Sequence, residues 1–140
     1  MERRDFIKQS CSLCMLTVAG MATLSLSSCS SLPIFKTTIV DNKITIPLSV
    51  FAQEQLQIVR PKGYEYNIAV KREPDQTYSA ILLRCTHADN QLTATGNGFV
   101  CNLHGSKFNN NGEVTKGPAE HALQKFKTEV TTESIIITIS

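Results

Sequence analysis

The stretch from Thr77 to Ser106 reads TYSAILLRCTHADNQLTATGNGFVCNLHGS, and it contains the features that decide the fold. Two strand-like runs end at Cys85 and Cys101, and each Cys is followed within three residues by His87 or His104. Two loops that each carry a Cys and a His can bring two thiolates and two imidazoles to one place. This set suits an iron–sulfur cluster with two thiolates on one iron and two imidazoles on the other, and it also suits a zinc ion.

The sequence around this stretch predicts strands almost throughout. Apolar and polar residues alternate from Ile44 to Leu48, and Pro47 inside that run is typical of an edge strand. The segment 77–84 is apolar on both faces near its end, which indicates a central strand. A Gly-Asn-Gly turn between 91–95 and 99–101 predicts a hairpin. Further strands are predicted at 55–59, 64–70, 123–130 and 134–139, with one helical turn at 49–55. Strands at this spacing predict an all-β sandwich or barrel.

Three segments together resemble the Rieske iron–sulfur family. They are Cys-Thr-His at 85–87, Cys-Asn-Leu-His-Gly-Ser-Lys-Phe at 101–108 and Gly-Glu-Val-Thr-Lys-Gly-Pro-Ala at 112–119. The third segment is similar to the Gly-Pro loop that covers the cluster in that family. The resemblance covers roughly residues 55–135 and is specific at three separate places.

The resemblance implies a fold, a cofactor and a ligand set. The fold is an antiparallel β sandwich with a small cluster-binding subdomain, and the cofactor is a [2Fe–2S] cluster. Cys85 and Cys101 would bind the inner iron, whereas His87 and His104 would bind the outer iron near solvent. Gly105 would let the backbone turn tightly after the second His. The implied function is one-electron transfer.

The sequence departs from the high-potential members of that family, such as those of cytochrome bc complexes. Those members have an extra Cys in each loop, joined as a disulfide, and Asn90 and Leu103 stand at these positions here. Phe108 stands where that branch has a Tyr hydroxyl that donates to a cysteine sulfur, whereas Ser106 matches the Ser that bonds a bridging sulfide. The absent disulfide and the absent hydroxyl at Phe108 predict a potential in the lower half of the range of roughly −150 to +300 mV for Rieske centres, whereas Ser106 favours a higher value. The residues expected around the cluster beyond its ligands are Gly105, Ser106, Phe108, Gly117 and Pro118.

The first 28 residues have the pattern of an export signal, since a charged start precedes an uncharged, moderately apolar run that ends in small residues. The segment Arg-Arg-Asp-Phe-Ile-Lys at 3–8 resembles a twin-arginine export motif. Leu-Ser-Ser-Cys at 26–29 resembles a bacterial lipobox, in which the Cys is lipidated. We therefore predict a signal at 1–28, a tether at 29–42 that is lipidated at Cys29, and a Rieske domain at 43–140. The alternative is an uncleaved signal anchor.

Composition and charge limit the functions that remain. The chain has 140 residues and a net charge of +2, and its basic residues are scattered, so we predict no nucleic-acid binding. We predict an electron carrier on the periplasmic or outer face of a bacterial membrane, with a redox partner protein or complex and no substrate chemistry of its own. Two alternatives stay open. One is the Rieske small subunit of an exported molybdenum oxidoreductase, as in arsenite oxidase, and the other is a module that holds zinc or senses redox state.

Overall fold

The computed structural model describes residues 32–140, so the predicted signal and Cys29 lie outside the described residues. Within this part, the chain forms eleven strands and one short 3₁₀ helix, and the fold is all-β as predicted. The strands are β1 (Ile34–Thr37), β2 (Lys43–Pro47), β3 (Leu56–Pro61), β4 (Ile68–Arg72), β5 (Tyr78–Leu82), β6 (Thr93–Thr95), β7 (Gly98–Val100), β8 (Lys107–Asn109), β9 (Val114–Lys116), β10 (Lys125–Val130) and β11 (Ser134–Thr138), and the 3₁₀ helix is Leu48–Phe51. In the same residues, no helix has the length and apolar character needed to span a membrane.

Seven strands form one sheet in the order β1-β3-β4-β5-β10-β11-β2. Neighbouring strands are antiparallel except β1 and β3, which are parallel. The middle position of β5 confirms the predicted central strand, and the outer position of β2 confirms the edge strand predicted from Pro47. Lys125 and Phe126 of β10 pair with β5, whereas Lys127–Val130 pair with β11. A single strand therefore joins the two halves of the sheet.

Two hydrophobic cores lie on opposite faces of β3, β4 and β5. Successive side chains of a strand point to opposite faces, so Ala80 and Leu82 of β5 enter the first core, and Ile81 enters the second together with Leu83. The first core also contains side chains of β2, β10 and β11, which shows that the two halves of the sheet face each other. The second core contains both Cys85 and Cys101. The continuous apolar run at 81–83 is therefore buried between two cores.

The smaller sheet has the order β6-β7-β8-β9, with antiparallel neighbours throughout. Its first two strands are the predicted hairpin. Gly98 at the start of β7 has a φ of +150°, and a Cβ on it would clash with the Phe108 carbonyl oxygen of β8. This close approach requires glycine, and it sets the spacing of the two strands that lie next to Cys101.

The structure differs from the sequence predictions at several elements. β1 lies inside the segment 29–42 that was predicted as a tether, and it pairs with β3 from Ile34 opposite Ile58 to Thr37 opposite Pro61. The folded domain therefore includes part of that segment. Tyr64 and Tyr66 precede β4 instead of beginning it. β8 and β9 were not predicted, because three residues are too few to show an alternating pattern.

Candidate metal centre

The first loop follows β5 and has Cys85 at its base. The Cys85 N–H donates to the Asn90 carbonyl oxygen at 2.8 Å, and the Asp89 N–H donates to the Cys85 carbonyl oxygen at 3.0 Å. Asp89 closes this turn with a φ of +48°, a conformation that Asp tolerates better than most residues. His87 lies in the turn with an exposed side chain, whereas Cys85 is fully buried.

The second loop follows β7 and has the same design. The Cys101 N–H donates to the Ser106 carbonyl oxygen at 2.8 Å, and the Gly105 N–H donates to the Cys101 carbonyl oxygen at 2.9 Å. Gly105 has a φ of +79°, as expected for the tight turn predicted after His104. Cys101 is fully buried and His104 is exposed. In both loops, therefore, the backbone buries the Cys and presents the His to solvent.

The two loops bring the four predicted ligands together as two pairs. Cys85 and Cys101 are both packed in the second core, and both are free thiols. The rings of His87 and His104 have centroids 5.2 Å apart and planes inclined at 73°. The sulfur pair is thus covered by protein, and the imidazole pair is open to solvent.

Several donors favour the ionised form of Cys101. Burial raises the pKa of this thiol, but hydrogen bonds outweigh burial, so the pKa lies below its ordinary value. The donors are the backbone N–H groups of Leu103 and His104, with contributions from the Cys85 and Asn90 side chains. The Asn90 Nδ2 atom lies 3.9 Å from the Cys101 Sγ atom. Because the thiolate is the form that binds metal, these donors prepare Cys101 to act as a ligand.

A third segment, after β9, is tied to both loops. The Ala119 N–H donates to the buried Ser106 Oγ at 3.0 Å, which joins this segment to the second loop. The Thr86 Oγ1 donates to the His121 carbonyl oxygen at 2.7 Å, which joins it to the first loop. Gly117 and Pro118, predicted to lie over the cluster, are exposed just before Ala119.

A family model of the Rieske [2Fe-2S] domain matches residues 47–127, which is more than half of the chain. The chain belongs to the Rieske [2Fe–2S] domain family. Its structure is similar to the cyanobacterial plasma membrane Rieske protein PetC3 from Synechocystis PCC 6803, with a TM-score of 0.54 and 24% identity over 66% of this chain and 94% of that chain. A chain from the complex of reduced oxygenase and oxidized ferredoxin in carbazole 1,9a-dioxygenase has a TM-score of 0.51 and 23% identity, over 71% of this chain and 94% of that chain. Both likenesses concern the fold. No curated protein sequence matches the chain.

The Rieske domain binds a [2Fe–2S] cluster, and the donors of this chain fit that cofactor. A Rieske centre divides its ligands between two irons, with two Cys on one and two His on the other. The chain offers one pair of thiols and one pair of imidazoles. Among residues 32–140, no group of three or more His, Cys, Asp or Glu side chains is arranged to hold a single metal ion. Two thiols and two imidazoles are the types of donor that a two-iron Rieske centre uses.

Two of the residues predicted around the cluster, Ser106 and Phe108, are buried near the cysteines. Ser106 is fully buried, and because its Oγ accepts from Ala119, the hydroxyl proton remains available to an acceptor at the cluster. Phe108 is 2% exposed and packs in the same core as both cysteines, where its ring offers no polar atom. Leu103 is 57% exposed beside His104. Around the sulfurs the site thus combines an apolar ring with two polar side chains, the buried Ser106 hydroxyl and the Asn90 amide.

Three residues that shape this Rieske site were not predicted from the sequence. Thr86 ties the first loop to His121, and the Tyr66 hydroxyl donates to the Asp89 carbonyl oxygen at 2.7 Å. Asn90 was noted for the Cys that it replaces and not for its own amide. A polar side chain in the same loop as two predicted ligands could have suggested a hydrogen-bond donor. The partners of Thr86 and Tyr66 are too distant along the chain to be predicted from local sequence.

Proposed function

We propose that the protein is a one-electron carrier in which Cys85 and Cys101 bind the buried iron of the cluster, and His87 and His104 bind the iron that faces solvent. The observation that carries this proposal is the contrast in burial, since both cysteines are fully buried and both histidines are exposed. When bound, the cluster supplies a one-electron redox couple. A partner can approach the imidazole rings closely but not the sulfurs, so we assign the exchange of electrons to the imidazole side.

The chain's own residues hold the site rigid during this exchange. The backbone hydrogen bonds of the two loops fix the positions of the cysteines, and the contacts of Thr86 and Ser106 fix the third segment against them. A rigid ligand set lowers the structural rearrangement that each change of charge requires. The exposed Leu103 adds an apolar contact beside His104, which suits a redox partner protein that binds and leaves.

The test of this function is made on the purified wild-type protein. We expect two irons and two sulfides per chain, a red-brown colour and, after reduction, a paramagnetic resonance with a low average g value. Voltammetry should show one reversible one-electron wave in the lower half of the Rieske range, below about +75 mV. A colourless protein that contains zinc would refute the proposal. A wave near the top of the range would agree with the proposed electron-transfer function but would refute the low potential that the sequence predicts.

We further propose that the protein is exported and tethered to a membrane through a lipid on Cys29. The support is the sequence, because the twin-arginine-like segment and the lipobox-like segment stand in the expected order before the domain. Four residues separate Cys29 from the start of β1 at Ile34. At about 3.3–3.6 Å per residue, this linker would keep the domain within about 20 Å of the membrane surface. The redox partner would then lie on the same membrane face.

The two parts of this second proposal are tested separately. In the host cell, Cys29→Ala should leave the protein unlipidated, either as a precursor or released from membranes. Changing Arg3 and Arg4 together to Lys should block export of the cluster-loaded form. Membrane localisation and mature mass that are the same in Cys29→Ala as in the wild type would exclude the lipid anchor.

A further inference from the structure

The side chain of Asn90 reaches from the first loop to the sulfur of the second. Its Nδ2 atom lies 3.9 Å from the Cys101 Sγ and 3.2 Å from the Gln91 carbonyl oxygen. Both neighbours are acceptors, so the amide nitrogen, and not the amide oxygen, must point toward them. The two N–H groups of the amide therefore have separate partners, with one bonded to the backbone and one directed at the sulfur.

The backbone that carries this amide is held by hydrogen bonds at two consecutive residues. The Asn90 carbonyl oxygen accepts from the Cys85 N–H at 2.8 Å, and the preceding residue, Asp89, has its carbonyl oxygen bonded to the Tyr66 hydroxyl at 2.7 Å. Asn90 is itself partly buried. A donor that is already held in place does not have to be ordered when the charge on the sulfur changes. No ordering cost is therefore subtracted from the stabilisation that its hydrogen bond gives to the reduced state.

We propose that Asn90 is a positioning residue that raises the reduction potential of the centre by donating a hydrogen bond to the Cys101 sulfur. The added electron makes the ligand sulfurs more negative, and a donor to a charged sulfur is stronger than one to a neutral group. The reduced state therefore gains more from the bond than the oxidised state does. The inference rests on the proposed role of Cys101 as a ligand.

Asn90 is also a donor that substitution can remove. The backbone N–H groups of Leu103 and His104 act on the same sulfur, but no side-chain change deletes them. Phe108, which packs in the same core, has no polar atom to offer. Removing the Asn90 amide therefore measures the effect of a single donor while the rest of the sulfur environment is kept.

The experiment compares Asn90→Leu and Asn90→Asp with the wild-type holoprotein. Leu has a similar shape and no donor, and the carboxylate of Asp has the shape of the amide and cannot donate when ionised at neutral pH. We expect Asn90→Leu to lower the equilibrium constant for reduction by a one-electron mediator about three- to tenfold, and tenfold corresponds to about 59 mV. Asn90→Asp should lower it further, because its charge repels the sulfur. The g values of the reduced protein should shift in both variants.

Asn102→Ala is the matched control. Asn102 lies directly after Cys101, but its Nδ2 donates to the Thr93 Oγ1 at 2.9 Å and not to a sulfur. Its removal should leave the potential and the g values unchanged. Cluster-loaded Asn90 variants with the wild-type potential would overturn the inference, and so would an equal loss in Asn102→Ala. A wild-type protein without a cluster would instead refute the proposed function, so the two failures are distinguishable.

Discussion

Replacing Ser106 by Ala should weaken the domain and lower its potential at the same time. The Ser106 Oγ is fully buried and accepts the N–H of Ala119, itself 4% exposed, at 3.0 Å. Without the hydroxyl, this buried N–H loses its partner, which costs about 1–3 kcal/mol. In urea, a small domain loses about 1–3 kcal/mol of stability per molar. We therefore expect the unfolding midpoint of the holoprotein to fall by about 1 M.

The effect of the same change on the potential follows from the remaining proton of the hydroxyl. If this proton is donated to the cluster, it favours the reduced and more negative state, so its loss lowers the potential. Only the difference between the two oxidation states counts. A difference of about 1 kcal/mol corresponds to about 40 mV for a one-electron couple, and voltammetry at fixed pH resolves a shift of this size.

The control for this prediction is Ser49→Ala. Ser49 is exposed in the 3₁₀ helix, outside the second core, so the change should move stability by less than about 0.5 kcal/mol and leave the potential unaltered. An Ser106→Ala protein with the wild-type urea midpoint would show that the bond to Ala119 does not stabilise the site. An unchanged potential would show that the hydroxyl does not donate to the cluster.

Three further predictions concern the smaller sheet and the cysteines. Gly98→Ala should prevent the pairing of β7 with β8 and abolish cluster loading, because the new methyl group clashes with the Phe108 carbonyl oxygen. In the control, Gly96→Ala, the new methyl group has no atom within 4 Å, so the cluster should load normally. The iron content of the two proteins checks this. Phe108→Tyr should raise the potential by some tens of millivolts if its hydroxyl reaches a cysteine sulfur, and an unchanged voltammetric wave would contradict that geometry. Thiol reductants should leave the cluster and its potential intact, since Asn90 and Leu103 stand where the high-potential members have their two disulfide-forming cysteines, and bleaching by dithiothreitol would contradict this.

In the large sheet, the strands that could be predicted from the sequence are those with a recognisable local pattern of apolar and polar residues. Alternation along Ile44–Leu48 with Pro47 inside it predicted the edge strand, and the doubly apolar run at 81–83 predicted the central strand, because side-chain direction along a strand depends only on neighbouring residues. No local sequence pattern indicates the pairing of β1 with β3. Its four residues are too few to alternate clearly, and their partners lie 24 positions away. For this reason residues 34–37 were assigned from the sequence to the tether and not to the sheet.

The candidate site likewise has features that local sequence predicts and features that depend on long-range contacts. Cys85, His87, Cys101 and His104 could be proposed as ligands because the motif is local to each loop, and the structure places the rings of His87 and His104 5.2 Å apart and both cysteines in the second core. The contacts that hold the loops are long-range. Thr86 meets the carbonyl of a residue 35 positions away, and the Tyr66 hydroxyl meets one 23 positions away. No spacing rule within a loop predicts such partners, since they depend on how the two sheets pack.

The most direct test of the central claim is the iron and sulfide content of His104→Ala beside His121→Ala. Both histidines are exposed, and the side chain of His121 is not a predicted ligand, so the pair separates ligation from the general loss of an imidazole. We expect His121→Ala to keep two irons, two sulfides and the wild-type resonance on reduction. His104→Ala should lose the cluster, because one iron then lacks an imidazole. Full iron and sulfide content with an unaltered resonance in His104→Ala would contradict the assignment.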